Sequence, residues 1–321
     1  MRNHLLSVLS TVVLLLTSTL VQAQGYPDRP ISLVVPFSAG SGTDGIARII
    51  AERLSQRLGQ PVVIENRPGA NAQIGADLVA RAEPDGYTLL MATSTSHSAN
   101  PGFFKNLRYD PIKDFTPLAR TGILPFILVS NTKLPVKSMQ DLIDYARAHP
   151  DSLTASSSNG TALLSSEMLK MLGKIEFLTV PYKSAPQAFS DLLGGHIDMN
   201  VVDFVVGLPS IMAGKVQPLG VTMAKRSKLL PDVPAIAETI PGFDLNPWNG
   251  IFGPANLPDT IADKLATELQ GLLAEKEIQD KLSQVGFDVQ PSASRQEFAQ
   301  YVKDQLDYWT TLIKQSGIQP E

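Results

Sequence analysis

Three stretches of small polar residues hold the side chains that could do chemistry. The first is Phe37, Ser38, Ala39, Gly40, Ser41, Gly42, Thr43 and Asp44, inside "ISLVVPFSAGSGTDGIARIIAERL". Gly40, Gly42 and Gly45 spell G-x-G-x-x-G, and Glu65 ends the next apolar run twenty residues on, as in a dinucleotide-binding fingerprint. With no bulky side chain in the way, the N–H groups of this loop and of the helix after it can converge on one space. Together with the helix dipole they would make an anion site, for pyrophosphate, phosphate or carboxylate. Asp44 weighs against pyrophosphate: as the expected N-cap it would occupy some of those donors and repel a doubly charged ligand. Glu65, beside Asn66 and Arg67, then reads as a turn or surface acid.

The second stretch, "TSTSHSANP" from Thr93 to Pro101, offers Ser94, Thr95, Ser96 and His97 in a loop at the carboxyl end of a strand. Ligands of open α/β sheets bind at that end. His97 could be a base, a donor to an anion, or a satisfied loop residue. The third stretch is Ser156, Ser157, Ser158, Asn159, Gly160 and Thr161, and a fourth strand end carries Asp203. Uncharged hydroxyls and amides converging from two sides suit a small polar ligand.

Catalytic residues are not expected. There is no G-x-S-x-G elbow, and the S-x-x-K of Ser130 to Lys133 follows a strand instead of opening a helix. His97, His149 and His196 stand in unrelated settings with no H-E-x-x-H, so no metal site is expected, nor any cofactor. The chain has no Cys, which removes thiol catalysis and disulfides.

These loops must be held by regular elements. "ISLVVP" reads as a buried strand, and Asp44 to Leu58 as a helix stopped by Gly59. "PVVIEN", a helix from Ala72 to Ala82, and "YTLLMAT" follow. Then come "FILVS", a helix from Ser138 to His149 with Ser138 as N-cap, "LTASS", and a helix from Thr161 to Leu172. "EFLTVPY", a helix from Pro186 to Leu193, "IDMNVVD" and "VQPLGVTM" complete the middle; Asp259 to Ser283 and Ser294 to Lys314 read as amphipathic helices, with Leu265, Leu269 and Leu272 as core. The rhythm implies helices on mainly parallel sheets. It also restarts: "LTASSSNGTALLSSEMLKML" repeats the strand, small-residue loop and helix of the first block, which points to two α/β lobes.

The first residues, "MRNHLLSVLSTVVLLLTSTLVQAQ", pair one early Arg with an apolar run and end in Val21-Gln22-Ala23. They read as a signal peptide, residues 1–23, cleaved after Ala23, and place the protein in a bacterial periplasm. The net charge of −4 and the lack of a basic cluster argue against nucleic acid.

At this point the chain resembles the Bug family, the TctC-like solute receptors of tripartite tricarboxylate transporters. The likeness runs through "YPDRPISLVVPFSAGSGTD", "ENRPGANAQIGADLVARAEPDGYTLL", "VPYKSAPQAFSDLLGGHIDM", "LPSIMAGKVQPLGVTMAKRS" and "PGFDLNPWNGIFGPANLP". The resemblance implies a type II periplasmic binding protein fold with a hinge: lobe I from 24–123 and 248–321, lobe II from 124–247. It also implies a monomer that holds a small carboxylate in the cleft and presents it to TctA/TctB-like membrane subunits or to a sensor kinase. The ligand would lie on Phe37 to Asp44, Ser94 to His97, Ser156 to Thr161 and Asp203. Phe37 would pack on the ligand body or only within its loop; Tyr182 and Lys183 would face the cleft or the hinge. Three departures stand out: Ser41 replaces a usual glycine, Leu163 and Leu164 lie where a His is common, and "VPYKSAP" is one residue short. The last two, on the second lobe, imply a less polar distal pocket, suited to an aromatic or longer aliphatic acid.

Overall fold

The computed structural model describes residues 25–320, so the expected signal peptide lies outside the described residues. Two mixed sheets form the frame. The first has the order β11-β4-β10-β3-β1-β2 and the second β7-β6-β8-β5-β9. In the first, β1 (Ile31–Val35) pairs in parallel with β2 (Val62–Asn66) and β3 (Thr88–Thr93). The strands β4 (Phe115–Ile123), β10 (Trp248–Pro254) and β11 (Asp288–Val289) then join antiparallel. In the second, β6 (Thr154–Ser157) lies parallel to β7 (Leu178–Pro181) and β8 (Met199–Asp203). Antiparallel β5 (Phe126–Asn131) and β9 (Val216–Val221) complete it. The expectation of mainly parallel sheets is therefore corrected to mixed ones. The cause is connectivity: β5 and β10 each enter a sheet from the other one and insert against the local strand direction.

Side-chain alternation decides what each face packs against. On β1, Ile31, Leu33 and Val35 face one core together with Leu89, Met91 and Ile251, while Val34 joins Leu90, Ala92, Trp248 and Phe252 on the other side. The first face is covered by α1 (Gly42–Leu58) and α8 (Asp259–Leu273). The second is covered by α2 (Gln73–Ala80) and α10 (Arg295–Gln315), through Ala76, Val79, Phe298 and Val302. Leu265, Leu269 and Leu272 are fully buried, as their helical spacing predicts.

In the second sheet, α4 (Met139–Ala148) and α5 (Gly160–Gly173) lie with the core of Leu128, Val201 and Leu219. On the opposite side, α6 (Ala185–Gly194) and α7 (Phe204–Met212) supply Phe189, Leu192 and Phe204 to the core of Ile127, Val129 and Val202.

Several boundaries differ from the reading of the sequence. "TSTSHSANP" is no open loop: Thr95–Ala99 forms a π-helical turn that runs into α3 (Asn100–Phe103). The helix expected over Asp259 to Ser283 breaks between α8 and α9 (Lys276–Gln284), where Glu275 sits extended and its carboxylate binds Arg53 and Arg57 of α1. Two segments cross between the sheets, one between β4 and β5 and one ahead of β10. Leu124 N–H of the first donates to Pro247 O of the second at 2.9 Å, so the crossings are tied to each other.

Candidate functional site

A cavity of about 650 Å³ lies between the two sheets, floored by the crossing segments Leu124, Phe126 and Pro247 to Asn249. The first sheet contributes the loop ahead of α1 and the end of β3; the second contributes the loop ahead of α5, Tyr182 to Ala185, and Asp203. Hydroxyls and helix N-termini thus face one space from two sides.

The first loop is wired through Asp44, but not as predicted. The N-cap of α1 is Ser41, whose Oγ accepts from Asp44 N at 3.3 Å. Asp44, three residues on, reaches back and accepts from Gly40 N–H at 3.0 Å, the reciprocal pattern of a capping box moved by one residue. It also accepts from Arg48 Nε at 3.0 Å and Asn66 Nδ2 at 2.9 Å. Burial opposes its charge, yet the hydrogen bonds from Arg48, Gly40 and Asn66 hold its carboxyl below the usual range. Asp44 is therefore a brace behind the loop and does not line the cavity, whereas Phe37, Ser38, Ser41, Gly42 and Thr43 do. Ala39 and Gly40 also stand off it.

Across the cavity, Asp203 caps α7, its Oδ1 accepting from Val206 N–H at 3.0 Å. The same carboxylate lies so close to Gly42 that any Cβ there would overlap it. Burial pushes its pKa up to about 6, against the N–H groups of Val206, Gly42 and Val205 that favour the charge. Two protein carboxylates thus already meet the peptide N–H groups of the first loop.

Of the second stretch, Ser94 and Thr95 line the cavity and Ser96 and His97 do not. Ser96 Oγ binds the backbone of Thr93. His97 is fully buried between Phe115 and Phe252, with ring centroids 4.6 and 4.4 Å away, and its Nδ1 lies 3.0 Å from Ser96 Oγ. Burial drives its pKa down to about 3, so it is a neutral core residue at ordinary pH. The π-turn causes this, since it swings the ring away from the strand end into the aromatic cluster.

Of the third stretch, Ser157, Ser158, Asn159 and Thr161 line the cavity while Ser156 and Gly160 lie behind. Asn159 caps α5, accepting from Ala162 N–H at 3.0 Å. Gly160 packs against the first lobe: a Cβ there would sit 3.0 Å from Phe103 and 3.2 Å from Ala99 and Thr95. Tyr182 and Lys183 both line the cavity, Tyr182 tied through its hydroxyl to Asp191 at 2.8 Å.

Other lining residues were not singled out from the sequence. Pro68 to Ala72 form the turn after β2, with Ala70, Asn71 and Ala72 in the left-handed region. The small residues of "NRPGANA" were the available signal. Phe103, Trp248, Asn249 and Ile318 also border the space, and nothing local in the sequence sends them there; Thr93, which opens the second polar stretch, borders it too. Among the described residues no group of His, Asp and Glu is placed to hold a metal ion, and no helix is long and apolar enough to cross a membrane.

Known proteins share this fold. The R. palustris protein Rpa4515, solved with adipate, superposes with a TM-score of 0.89 at 35% identity over 92% of this chain and 100% of its own. The periplasmic binding protein BugD gives 0.88 at 33%, over 92% and 100%. MatC from Rhodopseudomonas palustris, solved with bound malate, gives 0.84 at 31%, over 90% and 100%. The fold is the two-lobed one of periplasmic binding proteins. The family described as "Tripartite tricarboxylate transporter family receptor" matches residues 46–318, and the chain belongs to this TctC family of solute receptors, the Bug proteins among them.

Proposed function

We propose that this protein captures a small organic carboxylate between its lobes in the periplasm and presents it to the membrane subunits of a tripartite transporter, with no chemistry on the ligand. The observation that carries this reading is the cavity itself: two strand–loop–helix units face each other across it, each showing hydroxyls and a helix N-terminus to the same space. Solved relatives of the same architecture hold adipate and malate. Phe37, Ser38, Ser41, Gly42, Thr43, Ser94 and Thr95 of one lobe, and Ser157, Ser158, Asn159, Thr161 and Asp203 of the other, are the proposed contact set. The lobes are taken as 24–123 with 248–321, and 124–247, moving about the paired crossings. Residues 1–23 are the proposed export signal.

The walls favour an acid with an apolar body. Phe37, Phe103, Phe126 and Leu163 border the cavity, and Lys183 at its exposed rim has no ion-pair partner among the described residues. A longer aliphatic or an aromatic acid fits that lining better than an amino-acid dicarboxylate. Binding favours closed lobes by differential affinity for that state. A thermal-shift panel of adipate, malate, citrate, glutamate, nicotinate and phthalate, followed by calorimetry, tests the reading. Stoichiometric binding without turnover supports it, and consumption of the acid or an inert panel overturns it.

A further inference from the structure

Two polar side chains on the cavity floor lack the partners that burial demands. Thr93, the last residue of β3, and Asn249, the second of β10, are 6% and 1% exposed. They stand directly opposite each other in the antiparallel register. Side chains paired in this way share a face, their Cβ atoms about 4.5–5.5 Å apart. Alternation puts them on the face of Met91 and Ile251, the one on which α1 packs.

Both residues line the cavity, and neither Thr93 Oγ1 nor Asn249 Nδ2 finds a hydrogen-bond partner among the described residues. Ser96 Oγ is already engaged with the Thr93 backbone, at 3.2 Å from its N and 3.0 Å from its O. A buried donor is costly to leave unpaired, and of the nine such side-chain atoms among the described residues only these two belong to residues that line the cavity. At the neighbouring first loop the contrast is plain: Gly40 N–H is held by Asp44, and Gly42 lies against Asp203.

We infer that Thr93 and Asn249 form a two-donor subsite for the ligand's carboxylate, the hydroxyl donating to one oxygen and the amide to the other. These two side chains, fixed on adjacent strands, orient the acid beside the first loop. The inference rests on the carboxylate-receptor reading and makes it more specific.

The test uses the purified protein and whichever acid of the panel binds it, adipate being the first probe. Thr93→Val keeps the side chain's shape without the hydroxyl, Thr93→Ser restores it, and Asn249→Asp replaces a donor by a charge. Thr93→Val is expected to weaken binding about tenfold with a ligand-free melting temperature equal to or above that of the unsubstituted protein. Thr93→Ser binds within about threefold of it, and Asn249→Asp loses at least about a hundredfold. A purely structural role for Thr93 would instead lower the melting temperature and leave affinity unchanged. If Thr93→Val binds adipate as well as the unsubstituted protein does, the subsite is wrong and the receptor reading survives. A protein that binds none of the panel overturns both. Should Asn249→Asp not fold, the Thr93 pair decides alone.

Discussion

The two strand–loop–helix units that face the cavity begin from the same sequence idea and end differently. The first runs from β1 through Phe37 to Thr43 into α1, the second from β6 through Ser158 and Asn159 into α5. Each is capped by its own polar side chain, Ser41 or Asn159, and each opens with a glycine that the opposite lobe approaches. At Gly42 the neighbour is the Asp203 carboxylate, with no space for even a methyl group; at Gly160 it is the apolar edge of Phe103, Ala99 and Thr95, 3.0 to 3.2 Å from where a Cβ would sit, a tight approach that a shift of a few tenths of an ångström relieves. The first unit is braced by charge, through Asp44, Arg48 and Asn66. The second carries no acid in its first turn and shows Leu163 to the cavity. One unit therefore makes a polar, sterically exacting contact between lobes, and the other a soft apolar one beside the ligand body.

That contrast can be broken by substitution. Gly42→Ala is expected to be the most damaging change, because Asp203 cannot retreat without giving up the cap of α7. Affinity for the bound acid should fall by at least about a hundredfold, or roughly 3 kcal/mol, by calorimetry. If Gly160→Ala costs as much, the two contacts are equivalent and the comparison fails.

The pH dependence sharpens the same point. The pKa of Asp203 is raised to about 6 in the native protein, so the native state binds the proton more tightly than the unfolded chain does. Its effect on stability is absent below the ordinary Asp range and becomes a loss as pH rises through about 6. Asp203→Asn keeps an oxygen for Val206 N–H and removes the titration. Relative to this variant, the unsubstituted protein should lose up to about 3 kcal/mol of unfolding free energy across that window in denaturant titrations. His97 slopes the other way in both proteins and cancels from the difference: its pKa is depressed to about 3, so its contribution is lost as pH falls below the usual histidine value. A flat difference between the two proteins would show that Asp203 is not buried as described.

Smaller effects follow. Asp44→Ala frees Gly40 N–H and Asn66 Nδ2 and should weaken ligand binding about tenfold, on a capping effect of roughly 1 kcal/mol. Unchanged affinity would show that the brace serves stability only. Gly160→Ala should cost no more than about threefold, since Phe103 can tilt by a few tenths of an ångström.

Much of this was legible in residue order. Apolar runs marked β1, β3 and β5, small-residue loops marked both helix N-termini, and Ser138 capped α4 as its type suggests. Errors arose where a local signal had two structural solutions. A polar run after a strand can be a loop or a π-turn, and the turn turned His97 inward. An acid near a helix start can be the cap or the residue that answers the cap, and Ser41 took the first role. β4 and β10 were not legible as strands, because Pro117 and Gly122 interrupt one run and Gly250 and Gly253 the other, and such residues read locally as breaks.

By itself the amino-acid order determined most of the helices and strands and the three small-residue stretches, because propensity and periodicity act over a few residues; β4, β10 and α7 and the cap of α1 were not read from it. Only the tertiary structure decided which of those groups meet: Gly42 with Asp203, Gly160 with Phe103, Thr93 with Asn249. Each pair joins residues far apart in the chain, through crossings and sheet registers that no short stretch encodes. The physical reason is that packing and the pairing of buried polar groups are settled by the whole molecule at once.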